Sequence, residues 1–171
     1  MTTDTTESVQ GLATVLRNGD LVTLRFQRQL PTGLEDAWAA LTDAGRLRQW
    51  FMPTTIEPRF GGTVHVDGGS DGGSHGTVTA WEPPRLLAYT WQWVGDEGTE
   101  RQTEVRWELT EAATGSLLVF THAGLEPGWT ASYGAGWHGF LDALADAGVN
   151  AAQAESAVRP AYDAAFGSLL P

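Results

Sequence analysis

Cysteine does not occur among the 171 residues, which excludes a disulfide framework and any thiolate metal site. Lysine is absent as well: the ten fixed cations are all arginine, set against 21 acidic residues for a net charge of −11. A domain this acidic repels phosphate backbones and anionic lipid, so neither nucleic acid nor a membrane surface is an expected partner. No apolar run reaches the length of a membrane span, and the N-terminal MTTDTTESVQ is polar and acidic, unlike a leader peptide. A cytoplasmic protein with a disordered or extended tail over residues 1–10 is the expectation.

Catalytic fingerprints are missing too. Ser74, Ser116 and Ser132 lie in no GxSxG setting, and the paired glycines Gly61 and Gly62 open a strand instead of a phosphate-binding helix. His65 and His75 flank a glycine-rich loop, but their spacing with Asp67 and Asp71 matches no strong metal motif. No cofactor and no metal are therefore expected. No internal repeat is present.

What is abundant is tryptophan, eight residues in all, distributed over strand-like and helix-like segments. Leu12–Leu16 and Leu21–Gln29 read as strands joined by an Asn18-Gly19 turn, the dipeptide suited to a tight hairpin. After Pro31, Thr32 and Glu35 have capping-box spacing and introduce a short helix with Leu34, Ala37, Trp38 and Leu41 on one face. Asp43 can cap a second short helix ending before Pro53.

From Thr54 to His122 six runs alternate with period two between glycine, proline and acidic turns, as expected of an antiparallel meander. One face of the longest runs carries Leu87, Tyr89, Trp91 and Trp93, then Val105, Trp107 and Leu109, then Leu118, Phe120 and His122. Next comes a long amphipathic helix, Trp129–Leu144, with Tyr133, Trp137, Phe140, Leu141 and Leu144 at helical spacing. Its aromatic stripe is the natural partner of the aromatic sheet face. His138, about 100° from Trp137, falls at the boundary of core and solvent. An alanine-rich segment after Asn150 predicts a further helix, started or broken at Pro160.

These segments, in order, resemble a known family. LEDAWAALTDAGRLRQWF (34–51), RFGG (59–62), GTVTAWEPPRLLAYTW (76–91), VRWEL (105–109), FTHAGL (120–125) and GWHGFLDAL (136–144) resemble the SRPBCC, or START-like, superfamily. The likeness is to bacterial relatives of the C-terminal domain of the activator of Hsp90 ATPase. It implies an α+β helix-grip fold: a curved antiparallel sheet wrapped around a long C-terminal helix, with two short helices inserted after the first strand. Residues 11–148 would form that domain and 149–171 an additional helical segment.

The resemblance also implies a cavity between sheet and helix, which in the wider superfamily holds hydrophobic molecules and in some members supports cyclisation or dehydration. Trp50, Phe51, Trp91, Trp107, Phe120, His122, Trp137 and Leu141 are the expected lining. Either these rings surround a ligand-sized space or they fill the interior. Binding of a small hydrophobic or aromatic molecule is the first expectation. A cyclase or dehydratase with His122 as acid/base at the cavity mouth is the second, and a chaperone-associated or homodimeric interaction protein the third.

Overall fold

A computed structural model describes residues 6–8 and 11–169. The remaining part of the expected N-terminal tail lies outside the described residues, while Thr6–Ser8 (β1) pairs antiparallel with Thr14–Asn18 (β2). Gly19, at φ 61°, makes the turn from β2 into Leu21–Leu30 (β3), as the Asn-Gly dipeptide requires.

The first helix, α1 (Leu34–Thr42), is preceded by Gly33, and no side chain caps it. The expected capping box is therefore not made: the helix begins one residue later than Thr32 and Glu35 need. The second, α2 (Ala44–Leu47), starts as expected, with the Arg46 N–H donating to Asp43 Oδ1 at 2.9 Å. Both lie over the sheet, where Trp38 meets Trp81 edge to face at 5.1 Å and Trp50 donates its indole N–H to the Ala40 carbonyl.

The strands that follow are β4 (Thr54–Ile56), β5 (Thr63–Asp67), β6 (Gly73–Glu82), β7 (Leu86–Trp91), β8 (Trp93–Gly95), β9 (Gly98–Thr99), β10 (Thr103–Glu111) and β11 (Ser116–Leu125). Along the sheet the order is β1-β2-β3-β11-β10-β7-β6-β5-β4, antiparallel throughout, with β8 and β9 branching from β6. The run expected to carry Leu87, Tyr89, Trp91 and Trp93 as a single strand is thus two strands. At Gln92, whose N–H donates to Ser74 Oγ, the chain leaves β10 and pairs instead with the start of β6.

The last strand returns beside β3, which encloses the face against which α3 (Thr130–Ala145) lies. A final helix, α4 (Ala151–Phe166), runs through Pro160 without ending there. Proline removes the amide that would bond Ser156 and crowds its carbonyl. Both residues are exposed, and at such a position solvent can take the place of a lost backbone bond.

Two faces of α3 are used. Trp137 and Leu141 are buried toward the sheet, whereas Gly134 and Gly139 lie against α4: a Cβ on Gly134 would stand 2.6 Å from the Tyr162 ring, and one on Gly139 2.4 Å from the Ala151 carbonyl oxygen. His138, expected at the solvent boundary, is only 7% exposed because α4 covers it. The Tyr162 hydroxyl accepts from the Ala13 N–H at 2.9 Å and lies 3.0 Å from His138 Nδ1; with the neutral ring's proton on Nε2, toward Asp142, Nδ1 accepts from that hydroxyl. The other ring nitrogen faces Asp142 at 3.3 Å, and Asp142 is paired with Arg28 at 2.9 Å. Burial holds the His138 pKa below its usual value, with Asp142 opposing the shift.

Candidate functional site

The rings expected to line an enclosed space touch one another. Trp137 lies 4.5 Å from Phe120, 5.3 Å from Trp91, 5.5 Å from Phe51 and 5.8 Å from Trp107, centre to centre, and Trp50 stacks on Phe51 at 5.3 Å. These are the separations of directly packed aromatics. Leu141 is fully buried beside them. The centre of the sheet–helix interface is therefore filled, and Trp50, Phe51, Trp107, Phe120 and Leu141 belong to the packed core.

His122 is also core. Gly124, at φ 85°, creates a bulge after which the strand continues to Leu125, so His122 lies within β11 and not at its end. It pairs with Val105 on one side and Leu24 on the other, and is 0% exposed. Trp137 Nε1–H donates to its Nδ1 at 2.9 Å, which fixes the proton on Nε2; that N–H donates to Thr103 Oγ1 at 2.7 Å, and Thr103 in turn donates to the Trp91 carbonyl. Burial pushes its pKa down to about 3. A ring closed off from solvent, neutral and with both nitrogens committed has no position from which to exchange a proton with a substrate.

Open volume appears at the edge of this core. A cleft of about 320 Å³ lies between the end of β7, β8 and the outer part of α3. Its aromatic walls are Trp91, Trp93, Trp129, Tyr133, Trp137 and Phe140; Met52, Glu100, Ser132 and Glu155 complete the rim. Trp91 and Trp93 run nearly parallel, 6.0 Å apart and 20° between planes, and Trp129, at the mouth, remains 37% exposed. Gly136 forms part of the floor, and a Cβ built on it would meet nothing within 4 Å. Here glycine leaves room, in contrast to Gly134 and Gly139 on the α4 side.

A short polar chain crosses the cleft. Trp91 Nε1 donates to Tyr133 Oη at 3.0 Å, and Tyr133 donates to Glu100 Oε2 at 2.5 Å. Burial raises the pKa of both Glu100 and Tyr133; Glu126 adds to the effect on Glu100. Beyond Glu100 the cleft joins a polar recess of about 530 Å³ that shares Trp93, Glu100 and Trp129. Among the described residues no cluster of three or more His, Asp or Glu has the arrangement of a metal site.

Of the residues anticipated as lining, Trp91 and Trp137 border the cleft. Trp93, Tyr133 and Phe140 had the correct parity or helical spacing, but nothing in the pattern separated wall from core. Glu100 lies in the link between β9 and β10, where periodicity carries no information, and Trp129, expected as the first residue of the long helix, sits instead in a 3-10 turn, Pro127–Trp129, just before it.

Residues 31–148 match the family described as Activator of Hsp90 ATPase homolog 1-like protein. The chain belongs to this family. As an AHSA1-like domain of the SRPBCC superfamily it shares the helix-grip fold of several solved structures. CalU16 from Micromonospora echinospora is 24% identical, with a TM-score of 0.65 over 96% of this chain and 93% of its own. MLL2253 from Mesorhizobium loti is 27% identical, with a TM-score of 0.66 over 73% of this chain and 95% of that one. DynU16, a protein of the dynemicin biosynthetic locus, is 28% identical, with a TM-score of 0.63 over 75% of this chain and 46% of its longer chain. No curated protein sequence matches significantly. No helix among the described residues is long and apolar enough to cross a membrane.

Proposed function

We propose that this AHSA1-like domain binds a small aromatic molecule in the cleft beside α3. The observation that carries the reading is an open space of about 320 Å³ walled by six aromatic side chains, immediately next to a core where similar rings pack without gaps. That volume is at the lower end of small-molecule sites. A two-ring ligand with about 150 Å² of apolar surface removed from water gains on the order of 4 kcal/mol, which corresponds to about millimolar affinity before polar contacts are added. The family's common use of its sheet–helix junction for ligands, and the location of DynU16 in a biosynthetic locus, support a small-molecule role. The cyclase or dehydratase reading has less support, because His122, its acid/base, is neutral and sealed in the core.

The test is titration with 2-naphthylmethanol followed by ligand-observed NMR, on the native protein and on Gly136→Leu. The Cβ of the new side chain would meet nothing within 4 Å, so the leucine extends into the cleft, and removing a helical glycine adds about 1 kcal/mol of stability. Binding by the native protein and its loss in a variant that melts no lower is the expected result. Equal binding by both would remove the cleft from the account.

A further inference from the structure

We infer that the cleft selects a cation-bearing aromatic molecule, of which an aryl-alkyl ammonium is the simplest example; this rests on the ligand-binding reading above. The first observation is how the donors in the cleft are used. Trp91 Nε1–H is committed to Tyr133, Trp93 Nε1–H to the Asp71 carbonyl, Trp137 Nε1–H to His122, and the Tyr133 hydroxyl to Glu100. Three of the four indole donors and the only phenol lining the cleft are thus already satisfied internally, which leaves the Trp129 indole and the Ser132 hydroxyl, itself accepting from Arg159. A ligand carrying an anion or a strong acceptor would find little to receive it, and would lose its own hydration on entry.

Acceptors and π-faces remain. Glu100 stands where the aromatic cleft meets the polar recess and lines both. Asp36, Glu57, Asp142 and Glu155 each have an arginine partner, but no ion pair reaches Glu100 among the described residues. Among the described residues the one hydrogen bond to its carboxylate comes from a neutral phenol. The recess behind it carries Asp71, Asp96, Glu97 and Glu126 with the single cation Arg101, so the local potential deepens the same sign. Partial burial and the neighbouring Glu126 raise the Glu100 pKa, as expected of a carboxylate whose charge is under-compensated. A cation at that junction would neutralise Glu100 while its aromatic part lay between Trp93, Trp129 and Phe140, with the indole faces adding cation–π attraction.

The test uses three probes of one shape: 2-naphthylmethylammonium, neutral 2-naphthylmethanol and anionic 2-naphthoate, titrated calorimetrically at neutral pH. The ammonium is expected to bind about tenfold more tightly than the alcohol, and the carboxylate more weakly than either. In Glu100→Gln, which keeps an acceptor for Tyr133, the ammonium-to-alcohol ratio should fall to about one. Glu111→Gln, which removes the same charge at the far end of β10, should leave the ratio as it is in the native protein. Equal affinities for all three probes, abolished by Gly136→Leu, would overturn charge selection while leaving the cleft as a binding site. A preference that survives Glu100→Gln, or ammonium binding that survives Gly136→Leu, would overturn the assignment as well. Failure of every probe to bind the native protein would overturn both readings.

Discussion

His122 shows how one side chain's environment decides its role. In solution an imidazole titrates near neutrality and suits acid/base chemistry; between Trp137 and Thr103, closed off from solvent, it becomes a structural bridge from α3 to the sheet. Its folded pKa of about 3 lies below the ordinary imidazole value of 6.5, so protonation is easier in the unfolded chain. The stability this contributes is complete above pH 6.5 and is lost as pH falls toward 3. The expected slope is about 1.4 kcal/mol per pH unit from this residue alone, or roughly 3 kcal/mol by about pH 4.5. Nitrogen chemical shifts of the ring provide a direct check: the Nε2–H tautomer should persist at about pH 4.5. Titration of this ring near 6.5 in the folded protein would contradict the closed network.

At the scale of elements, α3 is a helix with two different neighbours, and its glycines separate them. Gly139 allows α4 to approach to backbone contact, whereas Gly136 faces open space. The same substitution should therefore have opposite signs on one helix. Gly136→Ala is expected to stabilise by about 1 kcal/mol through helix propensity. Gly139→Ala gains the same propensity but forces its methyl onto the Ala151 carbonyl, for a net loss of about 1 to 3 kcal/mol. Urea denaturation of the two variants would measure both; a matching sign would show that the helix–helix distance is not limited by Gly139.

Much of this arrangement was legible from period alone. The sheet faces, the Asn18-Gly19 hairpin, the Asp43 cap and the aromatic stripe of α3 all follow from local pattern and turn chemistry. The second face of α3 was not, because glycine and alanine at helical spacing have little hydrophobic signal of their own. Its meaning depends on α4, a helix that the sequence predicts to start or break at Pro160, whereas it runs unbroken from Ala151 to Phe166. Likewise the aromatic parity of Trp91, Trp107 and Phe120 identified a surface that meets the helix, but parity cannot say whether rings from the two sides touch. Whether a gap remains is decided by the distance between layers, which no single segment encodes.

Across the whole molecule, the segments on either side of the family-matched region are tied to each other. Ala13, ahead of β2, and Tyr162, on α4, share a hydrogen bond over the back of α3, and the Tyr162 hydroxyl continues into His138, Asp142 and Arg28. α4 uses its apolar side within the chain, and through Glu155 it also contributes to the rim of the cleft. The result is a rigid aromatic centre with an open edge, a layout in which a ligand can enter without disturbing the packing that holds the sheet to the helix.

The eight indole N–H groups allow that claim to be tested directly, since they sample both regions. In a ¹⁵N–¹H spectrum recorded while 2-naphthylmethanol is added, the signals of Trp91, Trp93 and Trp129 should move with a common saturation curve. Those of Trp38, Trp50 and Trp81, which lie away from the cleft, should stay in place. Movement of Trp50 and Trp107 with Trp129 unchanged would mean that the core, not the cleft, opens to admit the ligand, and would contradict the account.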